Sequence, residues 1–241
     1  MMKQVIQLIA LRTIKHSDRH WILRAYSREL GSVAFAIGAG KTAEANRRRA
    51  LLMPLGIVEC VAVKRPGSDL LMMSDARSIF QSMDMRFDPS KNAIGLFMAE
   101  MLSVVLREGP PDAALFDFVQ QSVMVLDALP GRRVANFHLA FLVGLAGLLG
   151  ISPDYTDYRP GMIFDLFDGR FRVSAPIHGR YLGPDESAAA ARLGRMTYRN
   201  MHIYRYTRAM RNEVLDSILR YFELHYTGLR ELKSPEVLRQ C

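Results

Sequence analysis

The order of apolar and polar positions divides the chain into two patterns. Up to residue 80, apolar stretches of about strand length alternate with turn residues, giving five predicted strands at Gln4–Ile14, His20–Ser27, Ser32–Ala39, Leu52–Arg65 and Leu70–Phe80. Glu29-Leu30-Gly31 predicts a tight hairpin connection and Pro66-Gly67-Ser68-Asp69 a turn, while Pro54 places the start of the fourth strand at or after itself, or an edge there. From Asp88 the period becomes helical. Asp88-Pro89 reads as an N-cap with Pro at the first helical position, opening a helix to about Arg107. Gly109-Pro110-Pro111 ends it, and Asp112 caps a second helix to about Leu129.

The segment Asn136–Ile151 is apolar on every side, which fits a core helix or a membrane span. Its uninterrupted run, Leu139–Ile151, is 13 residues, short of the roughly 20 that cross a bilayer, so it predicts the hub of a helical domain. Asn136 is the expected side-chain N-cap and Gly150 the left-handed C-terminal cap. Gly144 and Gly147 are expected to admit neighbouring helices closely. Residues 152–182 break the helical period, and Asp168-Gly169 between Met162–Phe167 and Arg170–Ser174 predicts a β-hairpin. A short helix from Glu186, a long one from about Met201 to His225 and a terminal turn after Ser234-Pro235 complete the reading. The fold class is therefore α+β: a five-stranded OB-fold barrel over residues 1–80, then an all-helical domain over 81–241 with a small hairpin insertion at 152–182.

Charge changes the picture by its placement. Residues 1–80 hold 13 Lys and Arg against 6 Asp and Glu, whereas the remainder holds 19 against 18, so the predicted barrel is the part that faces a polyanion. Two cysteines, Cys60 and Cys241, are too few for a disulfide framework, and Cys60 is expected to pack as a small apolar group in a reducing, cytoplasmic compartment. The short N-terminal run Val5–Leu11 has no small-residue cleavage site behind it and does not read as a signal peptide.

The connection Gly38–Leu51 contains a GxGK fragment, but without the Walker spacing it is no nucleotide-hydrolase site. Its Lys41, Arg47, Arg48 and Arg49 instead suggest a flexible basic loop beside the barrel, extended by Lys15, Arg19, Arg24, Arg28, Lys64 and Arg65 into a DNA-binding surface. Trp21, Tyr26 and Phe35 are the candidate stacking platforms. Between Ala188 and Asn212 lie six arginines and no acid, and Arg205, Arg208 and Arg211 are spaced to share a helix face toward an anionic partner. Asp165, Asp168, His178 and His138 form no catalytic or metal-ligand spacing, so no enzyme and no cofactor is expected.

Together these segments resemble the RecO family of bacterial recombination mediators. The resemblance spans essentially the whole chain and rests on YSRELGSVAFAIGAGK, LLMPL at 51–55, FMAEML at 97–102, LFDFVQQSV at 115–123, NFHLAFLVGLAGLLGISP and the closing ELKSPEVLRQ with Leu232, Lys233 and Ser234. It implies an OB-fold joined to a helical domain, binding of single- and double-stranded DNA and annealing of complementary strands. It also implies recognition of the acidic C-terminal tail of single-stranded DNA-binding protein and, with RecR, loading of RecA onto coated DNA in the cytoplasm at the nucleoid. Two departures stand out. Many members carry four Cys or Cys/His zinc ligands where this chain has no cysteine and only His178 in 152–180, so no metal is carried over; Phe164, Leu166, Phe171 and Val173 are expected to hold the hairpin instead. Asn136 stands where the family often has a basic residue, leaving Arg132 and Arg133 to supply that charge beside Phe137 and Phe141 as the tail site, with Arg205, Arg208 and Arg211 next in line. The competing class is an OB-fold scaffold that binds acidic protein tails and no DNA.

Overall fold

The computed structural model describes residues 2–18, 20–40, 42–64 and 66–240. The chain divides into two compact units, residues 1–128 and 129–241. The strand-to-helix transition near residue 80 thus falls inside the first unit, which keeps three α-helices with the sheet among the described residues.

In the first unit the strands are β1 (Met2–Lys15), β2 (His20–Ser27), β3 (Gly31–Gly38), β4 (Ile57–Lys64) and β5 (Leu71–Phe80). All neighbouring pairs are antiparallel except β3 and β5, which run parallel through Phe35–Leu71 and Ala36–Met72. β1 pairs with both β2 and β4, so the order β1-β2-β3-β5-β4 returns to its start. Alternation along the strands sends Ile6, Leu8, Leu23, Phe35, Ile37, Val58, Cys60 and Ala62 into one shared core. Cys60 is buried there, and burial pushes its thiol up to about 12, so it behaves as an apolar group.

Two expectations for this unit change. The connection after β3 is not a flexible loop but helix α1 (Ala43–Leu51), and β4 begins only at Ile57. Between them Met53–Gly56 turns sharply, with the Gly56 N–H on the Met53 carbonyl at 2.8 Å and Leu55 at φ 62°. The Leu52 side chain enters the sheet core from this turn rather than from a strand.

Helix α2 (Pro89–Val105) starts as the sequence predicts: the Asp88 carboxylate accepts from the Ser90 and Lys91 N–H groups at 2.9 and 3.1 Å. Helix α3 (Ala113–Ala128) follows, with Asp112 accepting from Leu115 N–H at 3.0 Å. Tyr26 fastens this helical pair to the sheet. Its hydroxyl donates to the Pro110 carbonyl at 2.9 Å and accepts from the Asp112 N–H at 3.0 Å. At the other end of α3, the Asp127 carboxylate accepts from Ser82 Oγ at 2.6 Å and from the backbone N–H groups of Met83, Asp84 and Met85. Burial alone would raise the Asp127 pKa, but these hydrogen bonds outweigh it and hold the carboxyl below its usual range. Lys91, 1% exposed, crosses beneath to the Asp127 carbonyl at 2.7 Å and the Asp84 carboxylate at 3.2 Å.

The second unit is built on α4 (Phe137–Leu148), whose Phe137, Leu139, Phe141, Leu142 and Leu145 are fully buried. The predicted C-cap holds: Gly150 takes φ 70° and the Ile151 N–H returns to the Ala146 carbonyl at 3.0 Å. Gly147, by contrast, faces open space rather than a neighbouring helix. The predicted hairpin forms in residues 152–182, β6 (Ile163–Asp165) pairing with β7 (Arg170–Arg172), and a third strand, β8 (Tyr181–Leu182), adds to the other side of β6. Phe164, Leu166 and Phe171 are buried as expected, but Val173 is 84% exposed, and Leu182 from β8 takes part in the buried set instead. Helix α5 (Pro184–Leu193), helix α6 (Arg208–His225) and the short α7 (Ser234–Leu238) complete the unit. No helix among the described residues is long and apolar enough to cross a membrane.

Candidate nucleic-acid interface

Helix α1 carries the basic cluster. The Thr42 hydroxyl caps it by accepting from Ala45 N–H at 3.2 Å, Glu44 sits in its first turn and Arg48 and Arg49 in its last, all favourable to the helix dipole. Arg47 is exposed; Arg48 pairs with Glu44 at 3.3 Å across one turn. Arg49 donates to the Gly40 carbonyl at 2.9 Å and to Asn46, and its guanidinium stands 5.5 Å from the centroid of the Trp21 ring. Of the three candidate platforms only Trp21 keeps this place. Tyr26 and Phe35 are 2% and 0% exposed: Phe35 points into the sheet core, whereas Tyr26 lies on the face of β2 opposite Leu23 and Ala25 and is covered by the α2–α3 connection.

On the sheet, Arg24 is exposed and lies directly across from Arg12, which sequence reasoning passed over. Two cations side by side on adjacent antiparallel strands repel one another unless an anion lies over them. Alternation along the sequence did not show it: Ile6, Leu8 and Ala10 point inward, and a β-bulge between Ala10 and Arg12 is what turns Arg12 outward. Lys15 is exposed and pairs with Asp18 at 2.8 Å; Lys64 is exposed at the end of β4. Arg28 is differently engaged: it forms a two-point pair with Asp117 on α3, one contact at 3.1 Å, and lies over the Phe116 ring at 5.7 Å. That engagement joins sheet to helix and removes Arg28 from the free basic surface. Arg19, Lys41 and Arg65 lie outside the described residues.

In the second unit Arg132 and Arg133 are exposed on a 3-10 turn, Gly131–Arg133, just ahead of α4. Asn136 does not cap α4 with its side chain; its amide donates instead to the carbonyls of Met201 and Tyr204 at 2.9 and 2.7 Å. Phe137 stacks on Tyr198 at 4.6 Å. These contacts bring the 198–205 stretch, with exposed Arg199 and Arg205, against the start of α4. Phe137 and Phe141 are both 0% exposed, so they form core and offer no open aromatic pocket. Arg205 precedes α6, which starts at Arg208, and the three arginines do not share a helix face. Arg208 is tied to the Gln240 carbonyl, and Arg211 is half-buried, its pKa lowered first by burial and then by Arg208. His138 on α4 is buried, and desolvation followed by Arg211 lowers it to about 3, so it is neutral at physiological pH.

Where the family resemblance would put zinc ligands, Asp165 collects a different set of partners. Its carboxylate accepts from Phe167 N–H at 2.9 Å, Asp168 N–H at 3.2 Å and Arg172 Nε at 2.8 Å, with His178 Nε2 at 3.3 Å. Burial would raise its pKa, and these donors together hold it low. No group of three His, Cys, Asp or Glu among the described residues is placed to hold a metal ion.

Residues 86–236 match the family model described as "Recombination protein O C terminal". The DNA repair protein RecO of Phocaeicola vulgatus is 34% identical over 96% of both chains, and that of Porphyromonas gingivalis 35% identical over 97% of both. The chain belongs to the RecO family. RecO of the more divergent Christiangramia forsetii is still 27% identical over 96% of each chain. A role in DNA repair and recombination follows from RecO membership.

Proposed function

We propose that the protein is a DNA-binding recombination mediator whose first unit is an OB-fold barrel with a phosphate-binding surface formed by Arg47, Arg48 and Arg49 of α1, Arg24 and its neighbour Arg12, Lys15 and Lys64. The observation that carries the reading is the Arg49 guanidinium 5.5 Å from the centroid of the half-buried Trp21 ring, with exposed Lys15 directly opposite Trp21 in the sheet, in a chain of a DNA repair family. An aromatic ring beside a basic strip is the arrangement that tracks single strands without reading sequence. The parallel β3–β5 pairing in an otherwise antiparallel five-stranded order supports the OB-fold assignment. Double strands bind the same cations through their phosphates. Annealing needs no bond-making group: the cations screen phosphate repulsion while two complementary strands are held close.

The test is a strand-annealing assay with complementary oligonucleotides, one carrying a fluorophore and the other a quencher, with no nucleotide added. The protein is expected to accelerate pairing, and the acceleration to fade as salt rises. No acceleration, together with no retention of either oligonucleotide, leaves a scaffold that binds only acidic proteins.

The second unit is proposed to receive the acidic tail of single-stranded DNA-binding protein, with RecR as the other partner and RecA loading as the outcome. The tail's acids meet Arg132, Arg133 and Arg205; its apolar end meets Ile203, 64% exposed, and half-buried Tyr204, in place of the buried phenylalanines. Replacing Arg132 and Arg133 together by Glu turns attraction into repulsion and is expected to weaken a labelled tail peptide by about tenfold or more. Unchanged peptide affinity would remove the site from the start of α4.

A further inference from the structure

The parallel pairing of β5 with β3 ends at Met72. Beyond it, among the described residues, the side of β5 turned away from β4 has no strand partner, and Ser74, Asp75, Arg77, Ser78 and Ile79 are exposed. A bulge at Asp75, with φ 50° and a register shift against Glu59–Val61, interrupts the first part of this edge. Such a bulge guards an edge against indiscriminate pairing; a second register shift, between Ile57 and Val58, passes over Ile79, and among the described residues the outer side of Ala76–Phe80 stays open. That stretch forms one wall of a groove of about 660 Å³. The opposite walls are α1 with its following turn and α2. The floor is apolar, from Met53, Leu55, Met85 and Leu96, while Arg47, Arg77 and Arg86 contribute guanidinium groups and no carboxylate lines it. Gly95 of α2 keeps the floor low, with Met85 Sδ only 3.1 Å from the place a Cβ would take.

We infer that this groove docks an extended acidic peptide from a partner protein, added as a strand to the Ala76–Phe80 edge. An open edge supplies main-chain donors and acceptors, which a peptide backbone matches and a sugar–phosphate chain does not. Alternate peptide side chains then point to opposite faces. One set enters the floor, where the thioethers of Met53 and Met85 adapt to varied apolar shapes; the other meets Arg47 and Arg86, which favour Asp and Glu, Arg77 being paired with Glu59. The groove shares Arg47 with the proposed DNA surface, so the variants that test it are placed at other residues.

The test uses the full chain and a fluorescent capped hexapeptide of alternating Asp and Leu. Its controls are the same peptide N-methylated at every second residue, the Lys/Leu counterpart and an oligothymidylate. The variants are Leu96→Glu and Arg86→Glu, both at exposed positions of the groove. The Asp/Leu peptide is expected to bind, and N-methylation or either variant to weaken it by about tenfold or more. Retention of oligothymidylate by both variants is expected to match the parent chain, which separates this site from the DNA surface. Absence of peptide binding at about 1 mM, indifference to N-methylation and to both variants, or loss of oligothymidylate binding in Leu96→Glu with full competition between peptide and DNA would each overturn the inference, the last in favour of a nucleic-acid groove.

Discussion

Replacing Gly31 by Ala is expected to destabilise the first unit by about 3–4 kcal/mol, among the larger effects a single methyl group can have. Gly31 closes the β2–β3 turn at φ 71°, where an L side chain already costs about 1–2 kcal/mol. The larger part comes from crowding. A Cβ there would stand 2.5 Å from the Gly109 carbonyl oxygen, 2.6 Å from the Pro110 carbonyl carbon and 2.7 Å from the Pro111 nitrogen. All three are backbone atoms of the α2–α3 connection and cannot rotate away. Moving that connection would break the Ser32 N–H bond to Gly109 at 3.0 Å, the Ser32 hydroxyl bond to Arg107 at 2.9 Å and the Tyr26 anchor at Pro110. Gly67 is the control: it has nearly the same φ, 72°, and nothing within 4 Å. Gly67→Ala is expected to cost only the conformational part, about 1–2 kcal/mol. Urea unfolding of the two variants, followed on the first unit's signal, checks this; equal losses would mean that the close approach is not what Gly31 serves.

The same turn shows how much of the fold could be read from the chain. Glu29-x-Gly31 is legible as a hairpin connection, and the structure gives each residue a reason. Glu29 accepts from Gln7 N–H at 2.9 Å and Ser27 Oγ at 3.0 Å, and Gly31 admits the α2–α3 connection. Caps at Asp88, Asp112 and Gly150 were legible because capping is local chemistry. Helix α1 was not: Gly38-Ala-Gly-Lys looks like a flexible approach, while the helix-forming residues after Thr42 carry no apolar stripe to betray a period.

The candidate sites were less legible, since residue type does not reveal engagement. Arg28 reads as one more cation, and only the fold shows Asp117, 89 residues away, taking it up. Phe137 and Phe141 suggest a pocket, but an all-round apolar helix buries them. Asn136 reads as a cap, yet its amide holds Met201 and Tyr204, carbonyls that no local pattern connects to it. Arg12 was hidden as well: Ile6, Leu8 and Ala10 point inward, and only the bulge after Ala10 turns Arg12 out beside Arg24.

The largest expected functional effect belongs to α1. Changing Arg47, Arg48 and Arg49 together to Ala should leave the helix intact, as Ala has the highest helix propensity and the three side chains fill no part of the core. What is lost is local charge: the exposed guanidinium of Arg47, that of Arg48 beyond its weak exposed pair with Glu44, and that of Arg49 over Trp21. Each phosphate contact on a single strand contributes about 0.7 to the log–log slope of affinity against salt. Three contacts therefore predict a slope shallower by roughly 2, with the affinity lowered most at low salt. The direct measurement is the dissociation constant of an oligothymidylate at four or more salt concentrations, for the parent chain and the triple variant at matched stability. A steep parent slope that flattens by about 2 in the variant is the predicted result. A parent affinity independent of salt, or equal slopes in the two proteins, would contradict a DNA-binding surface built on α1.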